Sequence, residues 1–142
     1  MRVTLKSKDL RGIMKDFFRV LNAVQPAEGK QLTQSEITVL VEFCILPAKF
    51  EYHRFSKVAK KVVFRELEKG GWKLSSQSLN SKLYSMIEKD FLWRDEDKVI
   101  YLKPYLKGLV KKIIASTESK GVYNILFSLE VEHEEETVSG NG

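Results

Sequence analysis

Seven polar side chains lie close together between residues 77 and 85, in a stretch whose apolar residues recur at helical spacing. Glutamine and asparagine can each form two hydrogen bonds with adenine, and serine can donate to or accept from several base edges. These residues are therefore the predicted base-reading set of a DNA-binding helix: Gln77, Ser78, Asn80, Ser81, Lys82, Tyr84 and Ser85. A solvated helix face has a similar composition, so the surrounding elements must decide between the two interpretations.

Basic side chains precede and follow this polar stretch. Phosphate binding requires only positive charge within reach of the DNA backbone, so the signal is broad. Four of these side chains share a predicted helix at 56–68, one precedes the polar stretch and two flank a predicted hairpin turn. The predicted phosphate contacts are Lys57, Lys60, Lys61, Arg65, Lys73, Arg94 and Lys98.

Catalytic and metal-binding patterns find little support in the sequence. Cys44 lies in an apolar stretch, which favours an inert core thiol. His53 and His133 are isolated, without a Cys, His or Asp cluster at metal-ligand spacing. Gly70 and Gly71 are not followed by the Lys-Ser/Thr pair of a phosphate loop. We therefore predict a protein with no enzymatic activity, no cofactor and no metal.

The charge of the chain is unevenly distributed. The 142 residues carry a net charge of +5, yet all 24 basic residues lie at or before Lys120. Five of the 19 acidic residues lie after Leu129, so residues 1–129 carry +10. A body this basic favours an anionic partner, although a solvated basic face has the same composition. One cysteine, no signal peptide and no long apolar run predict a cytoplasmic protein without a membrane span, in the host cytoplasm if it is viral.

The N-terminal region, 1–30, is predicted to hold a short strand and an amphipathic helix. Residues 1–6 alternate between polar and apolar, as an edge strand does. Apolar residues then recur at three- and four-residue steps until Pro26 and Gly29. Core packing and a homodimer interface are equally good explanations of that stripe, which contains Leu10, Ile13, Met14, Phe17, Phe18, Leu21 and Val24.

Three helices and a hairpin are predicted between residues 32 and 102. Thr33 and Glu36 form a capping box for a largely apolar helix that ends near Leu46, before Pro47. An aromatic loop at 47–55 leads to the 56–68 helix, whose predicted inward residues are Val58, Ala59, Val62, Val63 and Leu67. Gly70 and Gly71 end it. Strands at 91–94 and 98–102 then flank an acidic turn at 95–97.

The base-reading set lies on a predicted helix that follows Gly70 and Gly71 and precedes the hairpin. Ser75 or Ser76 is its predicted cap, and its buried stripe is Leu79, Leu83, Met86 and Ile87. At about 100° per residue, this stripe predicts which polar side chains point most directly outward. They are Gln77, Ser78, Ser81 and Ser85, with Asn80, Lys82 and Tyr84 on the flanks.

The C-terminal region is predicted to contain a short helix, a strand and a tail. Pro104 can open a helix at 105–114. Within 116–132, residues 122–131 alternate as a strand that could pair with Val3 and Leu5, and these terminal strands are a second possible site of homodimer contact. Residues 133–142 are acidic, then small and polar, and are predicted to be a disordered tail.

These elements predict an α+β fold, mainly α: a winged helix-turn-helix at 31–115, with a three-helix core and a β-hairpin wing, an N-terminal helix and a terminal strand pair. The segments LTQSEITVL at 32–40, FSKVA at 55–59 and SQSLNSKLYSMIEKDFL at 76–92 resemble the DNA-binding domain of MarR-type regulators. The resemblance covers about half of the chain. It implies a dimer that binds palindromic double-stranded DNA through the third helix of this domain.

We therefore expect a sequence-specific double-stranded DNA-binding protein that regulates transcription. The acidic turn at 95–97 should be repelled by DNA, because the minor groove has a negative potential. That turn, the aromatic loop and the terminal strands motivate an alternative: a winged-helix module that contacts a protein partner in a transcription complex or virus particle. A weaker alternative is a non-specific nucleic-acid coat protein, of the kind that suits a phage genome.

Overall fold

The computed structural model describes residues 9–24 and 29–119. Within these ranges the chain forms five α-helices and one two-stranded antiparallel sheet, so the mainly helical α+β class is confirmed. In chain order the elements are α1 (Leu10–Ala23), α2 (Gln34–Cys44), α3 (Lys57–Lys69), α4 (Ser76–Glu88), β1 (Leu92–Arg94), β2 (Ile100–Leu102) and α5 (Pro104–Ser119). None of the described helices is both long and apolar enough to cross a membrane.

Helix α2 forms the centre of the core, as its apolar sequence predicts. The capping box at its start is present, because the Thr33 hydroxyl accepts from the Glu36 backbone and the Glu36 carboxylate accepts from the Thr33 backbone. Helix α1 packs against α2 and buries the centre of its stripe completely, at Ile13, Met14, Phe17 and Phe18. Core packing therefore accounts for these four residues of the stripe, which are not available to a second copy, whereas Val24 at its end is exposed. A homodimer through the remaining surface of α1 stays a prediction.

An ion pair with a buried carboxylate also joins the first helices. The Arg11 guanidinium donates twice to the Glu42 carboxylate, at 2.6 Å and 3.0 Å. A second contact, 3.5 Å long, joins Arg11 to Glu66 of α3. Glu42 is only 5% exposed, so these hydrogen bonds offset the cost of burying its charge.

The aromatic loop after α2 is more ordered than predicted, since residues Ala48–Phe50 form a 3-10 turn. Phe50 and Phe55 are buried, and the Phe55 ring lies 4.7 Å from that of Phe43. Arg54 donates to the carbonyl oxygens of Phe43 and Cys44 at the end of α2. The loop is thus fixed to the core by both apolar and polar contacts.

The predicted inward face of α3 is wrong at one position. Ala59, Val63 and Leu67 are buried, but Val58 is 62% exposed. Val58 lies five residues before Val63, which places it about 140° around the helix from the centre of the buried face. The side chain of Val58 therefore points to solvent.

Helices α3 and α4 end in the same way. After α3, Gly71 has a φ of +89°, and the backbone of Trp72 donates to the carbonyl of Leu67. After α4, Asp90 has a φ of +69°, and Phe91 donates to the carbonyl of Met86. Both patterns are Schellman motifs, in which a left-handed residue reverses the chain. They set the directions in which the chain enters α4 and the hairpin.

The hairpin pairs β1 with β2 in the register Leu92–Leu102, Trp93–Tyr101 and Arg94–Ile100. Leu92 and Leu102 are buried, which fixes this face of the sheet against the core. The sheet contacts α4 through β1.

Helix α5 is longer than predicted, because the chain stays helical to Ser119 rather than ending near Ile114. Residues 116–119, assigned from the sequence to the C-terminal strand segment, are therefore helical. Its buried residues Leu106, Val110 and Ile113 face the core, and α5 packs against α1. The predicted strands at 1–6 and 122–131 and the tail at 133–142 lie outside the described residues.

Two glycine substitutions should change stability in opposite directions. Gly108 lies inside α5, and no atom lies within 4 Å of the position that a Cβ would take, so Gly108→Ala should stabilise the fold by about 0.5–1 kcal/mol. Gly71→Ala also meets no atom, but its φ of +89° disfavours alanine and should cost about 1 kcal/mol or more. Urea denaturation measures both free energies of unfolding. Changes of the same sign in the two variants would contradict this assignment of backbone conformation.

Candidate nucleic-acid interface

Helix α3 presents a basic surface made by three of its four predicted phosphate-binding residues. Ser56 caps the helix by accepting from the backbone of Ala59, and the buried face at Val63 fixes its rotation. Lys57, Lys61 and Arg65 are then exposed.

Lys60 was expected on the same surface, but it lies between helices. Its Nζ donates to Oδ1 of Asn80 on α4 at 3.0 Å, and its side chain is half-buried. Burial, and then the nearby charge of Lys57, lower the pKa of Lys60 below its usual value. This lysine therefore couples α3 to α4, and it occupies the Oδ1 atom that Asn80 would need to form two hydrogen bonds with adenine.

The outward face of α4 consists of Gln77, Ser81 and Tyr84, followed by Glu88. All four side chains are exposed, and they recur at steps of four, three and four residues. Ser75 caps the helix by accepting from the backbone of Ser78, which settles the choice between Ser75 and Ser76. Tyr84, expected on a flank, belongs to the outward face, where it is 49% exposed.

Two further members of the predicted base-reading set also point elsewhere. The Ser85 hydroxyl donates to Oε2 of Glu36 at 2.6 Å, and Lys82 Nζ lies 3.2 Å from the Ser35 hydroxyl. Both partners belong to the first turn of α2. The prediction of Ser85 as an outward residue is wrong because a buried carboxylate on the neighbouring helix binds its hydroxyl. Ser78 is half-buried.

Glu36 is the group that holds α4 against α2. The carboxylate accepts from the Thr33 backbone, from Ser85 and from Lys89 Nζ, the last at 2.7 Å. Burial alone would raise the pKa of Glu36, but the hydrogen bonds from Lys89, Ser85 and Thr33 outweigh it and lower the pKa. The sequence indicated the capping role of Glu36 and gave no sign of its contacts with α4.

The hairpin brings one predicted phosphate contact next to α4. The Arg94 guanidinium lies 5.3 Å from the centre of the Tyr84 ring, within the range of a cation–π contact. Arg94 and Lys98 are exposed, as is Lys73 in the segment between α3 and α4. Lys98 has a left-handed φ of +66° in the turn.

One of the three carboxylates in the acidic turn forms hydrogen bonds that stabilise the turn. Asp95 accepts from the backbones of Asp97 and Val99 and from the Tyr101 hydroxyl. These hydrogen bonds, led by that of Val99, lower the pKa of Asp95. Glu96 and Asp97 remain exposed at the tip, so the negative charge anticipated there is present.

The residues considered for catalysis are one cysteine and two histidines. Cys44 is fully buried, and burial raises the pKa of its thiol to about 12. His53 is exposed in the loop before α3, and His133 lies outside the described residues. Across residues 9–24 and 29–119, no group of three or more His, Cys, Asp or Glu side chains could hold a metal ion.

Comparison with known proteins found no matching family model, no matching curated protein and no matching solved structure. The resemblance to MarR-type regulators therefore stays a prediction from the sequence.

The contacts of Glu36 predict an acid-dependent loss of stability. The pKa of Glu36 is lower in the folded protein than its ordinary value of 4.5. Its contribution is therefore complete above about pH 4.5 and is lost as the pH falls through the folded-state pKa. Glu36→Gln should cost about 1–3 kcal/mol at pH 7, because it weakens hydrogen bonds with a buried charge. It should also flatten the decline of stability at acid pH.

Glu88→Gln is the matched control, since it makes the same chemical change at an exposed position of α4. Urea denaturation between pH 3 and pH 7 would measure all three proteins. Equal behaviour of the two variants would show that Glu36 does not hold the helices together.

Proposed function

We propose that this protein binds double-stranded DNA through α3 and α4 and regulates transcription. One observation carries the proposal: the exposed cations of α3 and the exposed hydrogen-bonding face of α4 belong to two helices joined directly by the Lys60–Asn80 hydrogen bond. Phosphate contacts position a protein on the duplex, and base contacts supply sequence specificity. Both kinds of group are available here on neighbouring helices.

The order of the elements supports a winged helix-turn-helix. Helices α2, α3 and α4 follow one another and lead into a hairpin, the order of that domain. In such a domain the first helix of the turn motif crosses the DNA backbone and the second enters the major groove. By this assignment α3 contacts phosphates and α4 contacts bases.

The contacts within the protein change the expected set of base-reading residues. Gln77, Ser81 and Tyr84 are exposed on α4 and become the main candidates. Asn80 and Ser85 are bound to Lys60 and Glu36, so we assign them structural roles. Arg94 joins the interface from the hairpin through its contact with Tyr84.

Charge favours this partner and also predicts how binding responds to salt. Residues 1–129 carry a net charge of +10, and DNA is a polyanion whose counterions are released on binding. A dimer, as the MarR-type resemblance implies, would contact two half-sites about 34–36 Å apart along the duplex.

The hairpin tip favours a second candidate function, interaction with a protein partner. Glu96, Asp97 and Val99 are exposed there, and Val99 is 40% accessible. Lys98 is also exposed in this turn, but two carboxylates beside an exposed apolar residue suit a basic protein surface better than DNA. The winged helix would then be an interaction module within a larger assembly.

Removing the α3 cations should weaken binding to every duplex. In the variant Lys57→Ala, Lys61→Ala, Arg65→Ala, the log–log slope of affinity against salt should become less steep by about 0.9 for each lost phosphate contact. Lys112→Ala is the control, because it removes an exposed charge from α5, which packs against α1. Fluorescence anisotropy with random-sequence duplex at several salt concentrations measures the slopes. Equal losses per charge in the variant and the control would indicate a general charge effect and contradict an α3 interface.

A pair of α4 substitutions tests which residues contact bases. Gln77→Ala should weaken binding to the preferred site, selected from a random duplex library, by about 1–3 kcal/mol while leaving random duplex unaffected. Ser85→Ala should instead lower the free energy of unfolding, since it removes a hydrogen bond to Glu36. If Ser85→Ala changed sequence preference and Gln77→Ala did not, the outward face assigned to α4 would be wrong.

A further inference from the structure

An aromatic groove lies beside the hairpin, on residues that the proposed duplex interface does not use. It has a volume of about 240 Å³ and opens between the loop after α2, the two strands and the start of α5. Its aromatic walls are Tyr52, Trp93 and Tyr101, and Pro104 and Lys107 complete the side formed by α5. We call these five residues the aromatic groove.

Two aromatic side chains of this groove are exposed, and one of them is held by a stacking contact. Tyr52 is 71% exposed and Trp93 is 38% exposed, although both are large and apolar. The Trp93 ring stacks on Tyr101, its cross-strand partner, with 4.9 Å between the ring centres and 28° between the planes. The Tyr101 hydroxyl is fixed in turn by donating to Asp95. Trp93 and Tyr101 therefore offer a planar apolar surface that loses little freedom when a ligand stacks on it, and the exposed Tyr52 ring lies at the same groove.

The charges at the groove favour an anionic ligand. Lys107 Nζ lies 5.6 Å from the centre of the Tyr52 ring. The Arg54 side chain also lines the groove, and it keeps its positive charge although its guanidinium donates to the carbonyls of Phe43 and Cys44. Glu51 is the acidic residue of the lining, and its carboxylate is paired with Lys111 at 3.1 Å. Asp95 is engaged with the turn and with Tyr101 at one edge.

We propose that the aromatic groove binds a single-stranded segment of DNA. Bases stack on the exposed rings of Tyr52 and Trp93, and Lys107 contacts the backbone phosphate. Stacking platforms combined with cations are the usual means of binding single strands without sequence preference. The choice of DNA over RNA rests on the proposed function. A protein that binds duplex DNA is close to single-stranded DNA wherever the two strands of that duplex separate. A proline-rich peptide also suits aromatic grooves, but it would not use the excess of positive charge.

The test uses fluorescence anisotropy of a labelled ten-residue oligothymidylate with the full chain. Tyr52→Ala should weaken its binding by about five-fold or more, because one stacked base is lost. Tyr52→Phe keeps the ring and should bind as the unaltered protein does. Lys107→Ala should weaken binding and make its salt dependence shallower by about 0.7 in the log–log slope. In a Trp72→Phe background Trp93 is the one remaining tryptophan, and oligothymidylate should quench its fluorescence.

The outcomes separate this inference from the proposed function. Two results together support the inference. Tyr52→Ala should weaken binding to oligothymidylate and leave the affinity for duplex DNA unchanged. The triple α3 variant should weaken binding to duplex DNA and leave the affinity for oligothymidylate unchanged. The inference fails if oligothymidylate does not bind at low salt, or if its binding is lost in the α3 variant and kept in Tyr52→Ala. It also fails if oligouridylate or an oligoproline peptide binds the groove and oligothymidylate does not. In each of these cases, duplex binding is measured independently, so the proposed function can be supported even when this inference fails.

Discussion

The buried carboxylate of Glu36 is the constraint on which the candidate interface depends. A charge with 5% exposure is costly unless hydrogen bonds replace the water it has lost. Its partners come from the cap of α2 and from Ser85 and Lys89 of the α4 region, so its hydrogen bonds join the two helices and act together with the buried apolar face of α4. These contacts together fix the rotation of α4 about its own axis. That rotation decides which of its polar residues face solvent.

Neighbouring contacts extend this arrangement across the surface. The Lys60–Asn80 hydrogen bond sets α3 against α4, and the contact between Arg94 and Tyr84 brings the hairpin to the same helix. The left-handed residues Gly71 and Asp90 turn the chain at either side of α4. Basic and hydrogen-bonding groups from three elements are thus assembled around one helix. The aromatic groove lies apart from them because its walls come from the loop after α2, the hairpin and α5.

Local signals in the sequence predicted the elements well, and contacts between distant residues account for the errors. Caps, glycines and apolar spacing are properties of neighbouring residues, so the helices and the hairpin could be identified from them. The helical period predicted that Ser85 points outward. It carries no information about the hydrogen bond to Glu36, which lies 49 residues earlier in the chain. Lys60 was misplaced for the same reason, since its partner Asn80 belongs to the next helix. The groove could not be predicted, because Tyr52 and Trp93 are brought together only by the fold.

We propose that duplex DNA contacts the exposed face of α4 together with the basic side of α3. A nuclear magnetic resonance titration of the labelled protein with a short duplex tests it most directly, because it locates the contact residue by residue. We expect the largest changes in amide chemical shift at five residues of α3 and α4: Lys57, Lys61, Gln77, Ser81 and Tyr84. Changes confined to α1 and α5, or no changes at low salt, would contradict it.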